Sequence, residues 1–198
     1  MHSIIALFAA GLFAGNVTFG VLSPWNAVAG ADPEEPPETV QDVNEQARAA
    51  ASLERRNEIL WLARVLYSET KIPEEMRLVG WVVRNRVETS LRGRTYRQVA
   101  TSEKQFSGLT PGEAGYETII NLDYEDTRNH SWVTALAIAE EIYDADSSSR
   151  PFPSTVRHFY SPHAVSATPA WVDAGILHLQ IEAPDGSHSR FAFYKGIK

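Results

Sequence analysis

The sequence contains no cysteine. That excludes disulfides and cysteine nucleophiles, and it removes every thiolate metal site. No Gly-rich phosphate loop, Gly-x-Ser-x-Gly elbow or His-Glu-x-x-His run occurs, so the common signatures of nucleotide, serine-hydrolase and zinc-protease chemistry are missing. There is no internal repeat. Asp, Glu, Lys and Arg are absent from Met1 to Ala31. The formal net charge of −7 argues against a general nucleic-acid binder.

What is present starts with that uncharged N-terminus. Ile4 to Phe13 is a compact apolar core, and Ala27-Val-Ala29 resembles a small-residue cleavage site before Gly30. Residues 1–31 read as a signal peptide, without the usual basic n-region, or as an uncleaved membrane anchor. Either reading exports the rest, to the periplasm or cell envelope. Residues 32–40, with Asp32-Pro-Glu-Glu-Pro-Pro-Glu38, form an acidic Pro-rich linker that cannot build a core. Residues 41–198 are then the globular domain, expected to be monomeric. A hydrophobic fraction of 43% lets a chain of this length bury a core without disulfide or metal staples.

Charge within the domain is uneven. Lys71 to Lys104 holds eight bases against four acids. This stretch suits an anionic polymer, or a solvated helix face paired with the acidic stretches on either side.

The apolar spacing predicts helices over Val43 to Ser68 and Pro73 to Val87, a short one over Thr95 to Ala100, and one over Ser131 to Asp144. Pro73 suits a first helical turn, where its missing N–H is no loss. Gly80 suits a close helix contact. Gln105 to Asn121 reads as a long polar loop. The period then changes to two. Thr155 to Tyr160, Ile176 to Glu182 and Arg190 to Tyr194 read as strands, with Leu177, Leu179 and Ile181 on one face. Helices first and a small antiparallel sheet last is an α+β pattern.

Glu69 is the leading candidate for chemistry. It falls where two apolar helices meet, and poor solvation there suits a carboxyl to general acid work. A helix-end glutamate in a surface salt bridge is the plainer alternative.

Five motifs occur in order: Tyr67-Ser-Glu69, Val82-Val-Arg-Asn-Arg-Val87, Gln105-Phe-Ser107, Phe159-Tyr-Ser-Pro162 and Phe193-Tyr194. In this order the chain resembles the SleB-type cell wall hydrolases, the family of the spore cortex-lytic enzymes. The resemblance covers about Ile59 to Gly196. It implies a lysozyme- or transglycosylase-like helical domain that cleaves the glycan strands of peptidoglycan, with Glu69 at the catalytic position. Thr70-Lys-Ile-Pro73 departs from the family's Ala-Arg-Gly-Glu, and Phe191 stands where a histidine is usual.

The remaining site candidates are Tyr67, Gln105, Ser107 and Tyr160 for hydrogen bonds to sugar groups, and Trp171 for stacking. Phe106 and Trp81 are expected in the core. Asn85 and Arg86 are expected to brace loops or to touch glycan. No cofactor or metal is expected. A two-carboxylate glycosidase needs a partner for Glu69; Asp123, Glu125, Asp126 and Asp173 are candidates. A lytic transglycosylase needs only one glutamate. Two other functions stay open: a non-catalytic peptidoglycan-binding module, and a zinc amidase built on His158, His163, His178 and His188.

Overall fold

In the computed structural model, residues 40–197 are described. The expected leader, 1–31, and all of the expected linker except Val40 lie outside them. Val40 itself is the first residue of a helix rather than the last of a linker.

Helix α1 (Val40–Glu69) starts three residues earlier than its apolar spacing predicts, because polar and small residues continue the helix without burying anything. Its buried residues begin only at Ile59. Thr70, Lys71 and Ile72 connect it to α2 (Pro73–Glu88), where Pro73 disfavours helix at the residue before it and fixes the start of the next. Then come α3 (Tyr96–Ala100), capped by the Thr95 side chain, α4 (Tyr116–Ile120) and α5 (His130–Asp144), capped by Asn129. Three strands follow: β1 (Val156–Tyr160), β2 (Ile176–Glu182) and β3 (Ser189–Lys195). They form one antiparallel sheet in the order β1-β3-β2. The fold is α+β, and the described residues belong to one compact unit. No helix among them is long and apolar enough to cross a membrane.

The core lies between α1, α2, α5 and the inner face of the sheet. Leu62, Leu66, Val79, Val83 and Trp132 are fully buried, as is Phe193 from β3. Trp81 and Phe106 are also buried, as expected. At Gly80 a Cβ would overlap the Ile142 side chain and crowd Leu66, so the missing side chain lets α2 lie close against its neighbours.

Two expectations are corrected. The segment Gln105 to Asn121 is not a plain loop. It holds a 3-10 turn, Ser107–Leu109, and helix α4, and it buries Leu109 and Ile119 in the core. Leu177 does not share a face with Leu179 and Ile181. A bulge leaves His178 without a partner residue, so Leu177 pairs with Tyr194 while Leu179 pairs with Phe193. The extra residue reverses the alternation. Leu177 is left 48% exposed, and the His178 ring meets Phe152 edge-on.

Candidate active site

Glu69 is the last residue of α1. Its neighbours on the helix decide where it points. Leu62, Val65 and Leu66 fix one face in the core, and Ser68 and Glu69 come out at the lip of a cavity of about 580 Å³. The opposite wall comes from the sheet and its loops, with Tyr160, Trp171 and Phe191. The segment after α3 adds Lys104, Gln105 and Ser107.

That segment is held by its neighbours in sequence. Phe106 is 2% exposed, packed toward Phe159 with ring centroids 6.5 Å apart. Anchoring the middle residue leaves Gln105 and Ser107 on the cavity side. Gly108 closes the arrangement: a Cβ there would come within 2.9 Å of the Ser68 Cβ, so the loop backbone lies directly on the end of α1. Ser107 also lines a second cavity of about 580 Å³, as does Lys104. The two cavities therefore adjoin along this segment.

Among the described residues, Glu69 is the only carboxylate lining the first cavity. Among the described residues it has no hydrogen bond and no salt bridge. Burial pushes its carboxyl up to about 7, while the charges of Arg86 and Lys71 pull the other way. Its place at the C-terminal end of a long helix also disfavours negative charge. At neutral pH the group is therefore shared between acid and carboxylate forms.

Six residues beyond it, Glu75 is arranged in the opposite sense. It is 3% exposed and accepts hydrogen bonds from Thr70 and Arg190. Burial alone would raise its pKa, but those bonds and the Arg190 charge outweigh it and hold the carboxyl below its ordinary value. Arg190 itself lines the cavity, so Glu75 fixes a cation of the wall from behind.

Of the residues expected to bind substrate, Gln105, Ser107, Tyr160 and Trp171 line the cavity with Glu69. Tyr160 and Trp171 meet edge-to-face at 5.7 Å, and Trp171 packs on Tyr194 in the same way. Tyr67 is elsewhere: its ring stands edge-on to Trp132 and its hydroxyl accepts from Asn129 at 2.9 Å. It ties α1 to the start of α5 and does not line the cavity. Asp123, Glu125, Asp126 and Asp173 do not line it either. Asp123 and Asp126 order their own turn, and Glu125 faces Arg56 at 4.0 Å.

Asn85 and Arg86 take different parts. Asn85 is fully buried and donates to the backbone carbonyls of Pro153 and Val156, bracing the entry to β1. Arg86 reaches the cavity. Sequence reasoning left its role open between bracing a loop and touching glycan. The signal was its position: Val79, Val82, Val83 and Arg86 share one helical stripe, so a cation continues an apolar face.

The four histidines do not gather into one cluster. His158 lies against Trp171 at 5.3 Å, and burial followed by nearby arginines, Arg86 first, pushes its imidazole down to about 4. His163 and His188 stack at 4.1 Å on the rim. No group of three or more His, Asp or Glu side chains among the described residues is placed to hold a metal ion. Comparison of the chain with protein-family models, with curated proteins and with solved structures finds no match.

Proposed function

We propose that the chain cleaves the glycan strands of peptidoglycan as a lytic transglycosylase, with Glu69 as the one acid and base. The observation that carries this reading is a carboxyl with no hydrogen-bond or ion-pair partner among the described residues, pushed up to about 7 by burial, lining a cavity walled by Tyr160 and Trp171. A general acid works best when its pKa lies near the operating pH. A retaining or inverting glycosidase would need a second carboxylate within about 5–10 Å of the first. Among the described residues the cavity offers none, which favours chemistry in which the substrate supplies the nucleophile.

Glu69 in its acid form gives its proton to the glycosidic oxygen as that bond breaks. The resulting carboxylate takes the proton of the muramoyl 6-hydroxyl as that oxygen closes on C1. The product is a 1,6-anhydro end, and no water is consumed. An internal hydroxyl has a large proximity advantage over bulk water. Tyr160 and Trp171 give apolar faces for sugar rings, Gln105 and Ser107 give hydrogen-bonding groups, and the adjoining second cavity gives room for the strand to continue. The order of motifs that resembles the SleB-type hydrolases supports the same reading, and the α+β architecture is compatible with the lysozyme-like fold that resemblance implies. Peptidoglycan as substrate agrees with the export expected from the sequence of residues 1–31. A zinc amidase is less favoured, because its histidines form no ligand set among the described residues.

Mass spectrometry of digested sacculi is the test. The expected products carry 1,6-anhydromuramoyl ends, one water lighter than reducing ends. Reducing ends that incorporate labelled oxygen would mean hydrolysis. No cleared band in a sacculus gel would mean a binding module. Activity should also fall as pH rises through about 7, where Glu69 loses the proton it must give.

A further inference from the structure

Two opposite charges reach one cavity, and among the described residues neither has an ion-pair partner. Glu69 ends α1, and Arg86 belongs to the last turn of α2. The Arg86 side chain is tightly held. It is 4% exposed, its Nε donates to the Arg157 carbonyl at 2.7 Å, and its guanidinium carbon lies 5.5 Å from the Phe106 ring and 5.9 Å from the Phe159 ring. Its Nη1 is buried with no hydrogen-bond partner. Arg77 and Arg84, on the same helix, both have acid partners, Glu141 and Glu88. Among the described residues Arg86 has none within ion-pair reach. A buried guanidinium without a counter-charge is unfavourable, and one brace to a carbonyl uses one of its five N–H groups. Bracing alone does not account for a cation here.

We propose that Arg86 is the positioning residue for Glu69: a fixed cation that stabilises the carboxylate formed when Glu69 gives up its proton, and that holds it in place to accept the second. This inference rests on the function proposed above. The proton account balances without Arg86 exchanging one. A proton leaves Glu69 for the departing oxygen as the old C–O bond breaks. Another returns from the attacking hydroxyl as the new C–O bond forms.

Other charged groups surround the pair. Lys71 comes from the α1–α2 connection, Lys104 from the segment after α3, Arg190 from β3, His163 and His188 from the loops, and Arg92 and Arg157 flank Arg86. Arg86 alone among these is buried. Arg190 is engaged by Glu75, and Lys104 faces Glu103 at 3.5 Å. Of the cations that act on Glu69, Arg86 pulls its carboxyl down most, ahead of Lys71.

The test reads Glu69 directly. Its side-chain carboxyl carbon is followed by NMR against pH in the unaltered protein, in Arg86→Met and in Arg86→Gln, which keeps a donor for the Arg157 carbonyl. The neutral variants should raise the Glu69 titration by about one pH unit or more, as loss of a close opposite charge does. Arg86→Lys should stay nearer the unaltered protein. The alkaline limb of the rate profile should move up with the titration, while KM changes less than kcat. An unmoved Glu69 titration in folded neutral variants overturns the proposal. Should both fail to fold, the Arg86 guanidinium nitrogen signals of the unaltered protein decide. They should shift as Glu69 titrates near pH 7, and signals that stay still overturn the proposal. Neither NMR measurement needs glycan cleavage, so a chain inactive on sacculi would sink the proposed function and leave this inference to be decided separately.

Discussion

The last turn of α1 and the first turn of α2 each hold a glutamate, and the two are in opposite electrostatic states. Glu75 sits at the start of a helix, where negative charge is favoured, and Thr70 and Arg190 satisfy it. Glu69 sits at the end of a helix, with no hydrogen-bond or ion-pair partner for its side chain among the described residues and a carboxyl pushed up to about 7. A three-residue connection separates the helices. The difference teaches that burial alone does not make an acid. Glu75 is the more buried, yet its hydrogen bonds keep it ionised. What distinguishes Glu69 is burial without satisfaction.

The sharpest way to break this comparison is Glu69→Gln. The amide keeps the shape and loses the titrating proton, so cleavage should drop by about 10²–10⁴-fold, as loss of a general acid does. Release of anhydromuramoyl ends from sacculi measures it, and a loss of only a few-fold would remove Glu69 as the acid. Next in size is Glu75→Gln. It leaves Arg190 without its carboxylate and should lower stability by about 3 kcal/mol at neutral pH, the low end for a broken buried pair because Arg190 is partly exposed. Glu75 has a lowered pKa, so its contribution is present above its ordinary value of 4.5 and is lost as pH falls through its folded value. The difference in denaturation midpoints should therefore narrow in acid.

The same Glu69→Gln protein should show the reverse dependence. Glu69 has a raised pKa, so folding is favoured below 4.5 and that advantage fades as pH rises through about 7. Gln removes the burden of the buried charge. The variant should match the parent near pH 4 and gain on the order of 2 kcal/mol above pH 7, less than the full shift implies because the cavity admits solvent. Urea titrations at both pH values test this, and a variant destabilised above pH 7 would contradict the assigned burial. The smallest effect is expected far from both turns. Leu53 is 70% exposed on α1, and Leu53→Ala should change stability by less than about 0.5 kcal/mol.

Much of this was legible in the sequence. Helical spacing located α2 and α5 to within a residue or so at each end, and Pro73 located the junction that carries Glu69. β2 matches its alternation at both ends. The failures have local causes. Helix α4 was missed because Tyr116–Ile120 is little more than one turn, too short to set a period, and it follows a run of turn formers. The bulge at His178 depends on pairing with β3, which no single strand encodes. Tyr67 was misplaced relative to the cavity because one helical step separates the face toward Ser68 from the face toward Trp132. The contrast between Glu69 and Glu75 was invisible for a different reason. Arg190 lies 115 residues away from Glu75, and only the folded chain brings them together.

Residues 40–54 of α1 are all exposed, and the helix continues through them unbroken into the core. At 1.5 Å per residue this is a rod of about 22 Å projecting from the body of the fold. Its mechanical consequence is reach. Whatever restrains the chain at Val40 sets the cleft at a working radius about that long, and in a fixed rotational phase, because a helix transmits twist as well as length. Inserting seven residues into the rod would extend the reach by about 10 Å and nearly preserve the phase, while inserting five would add about 7 Å and turn the cleft by about 140°.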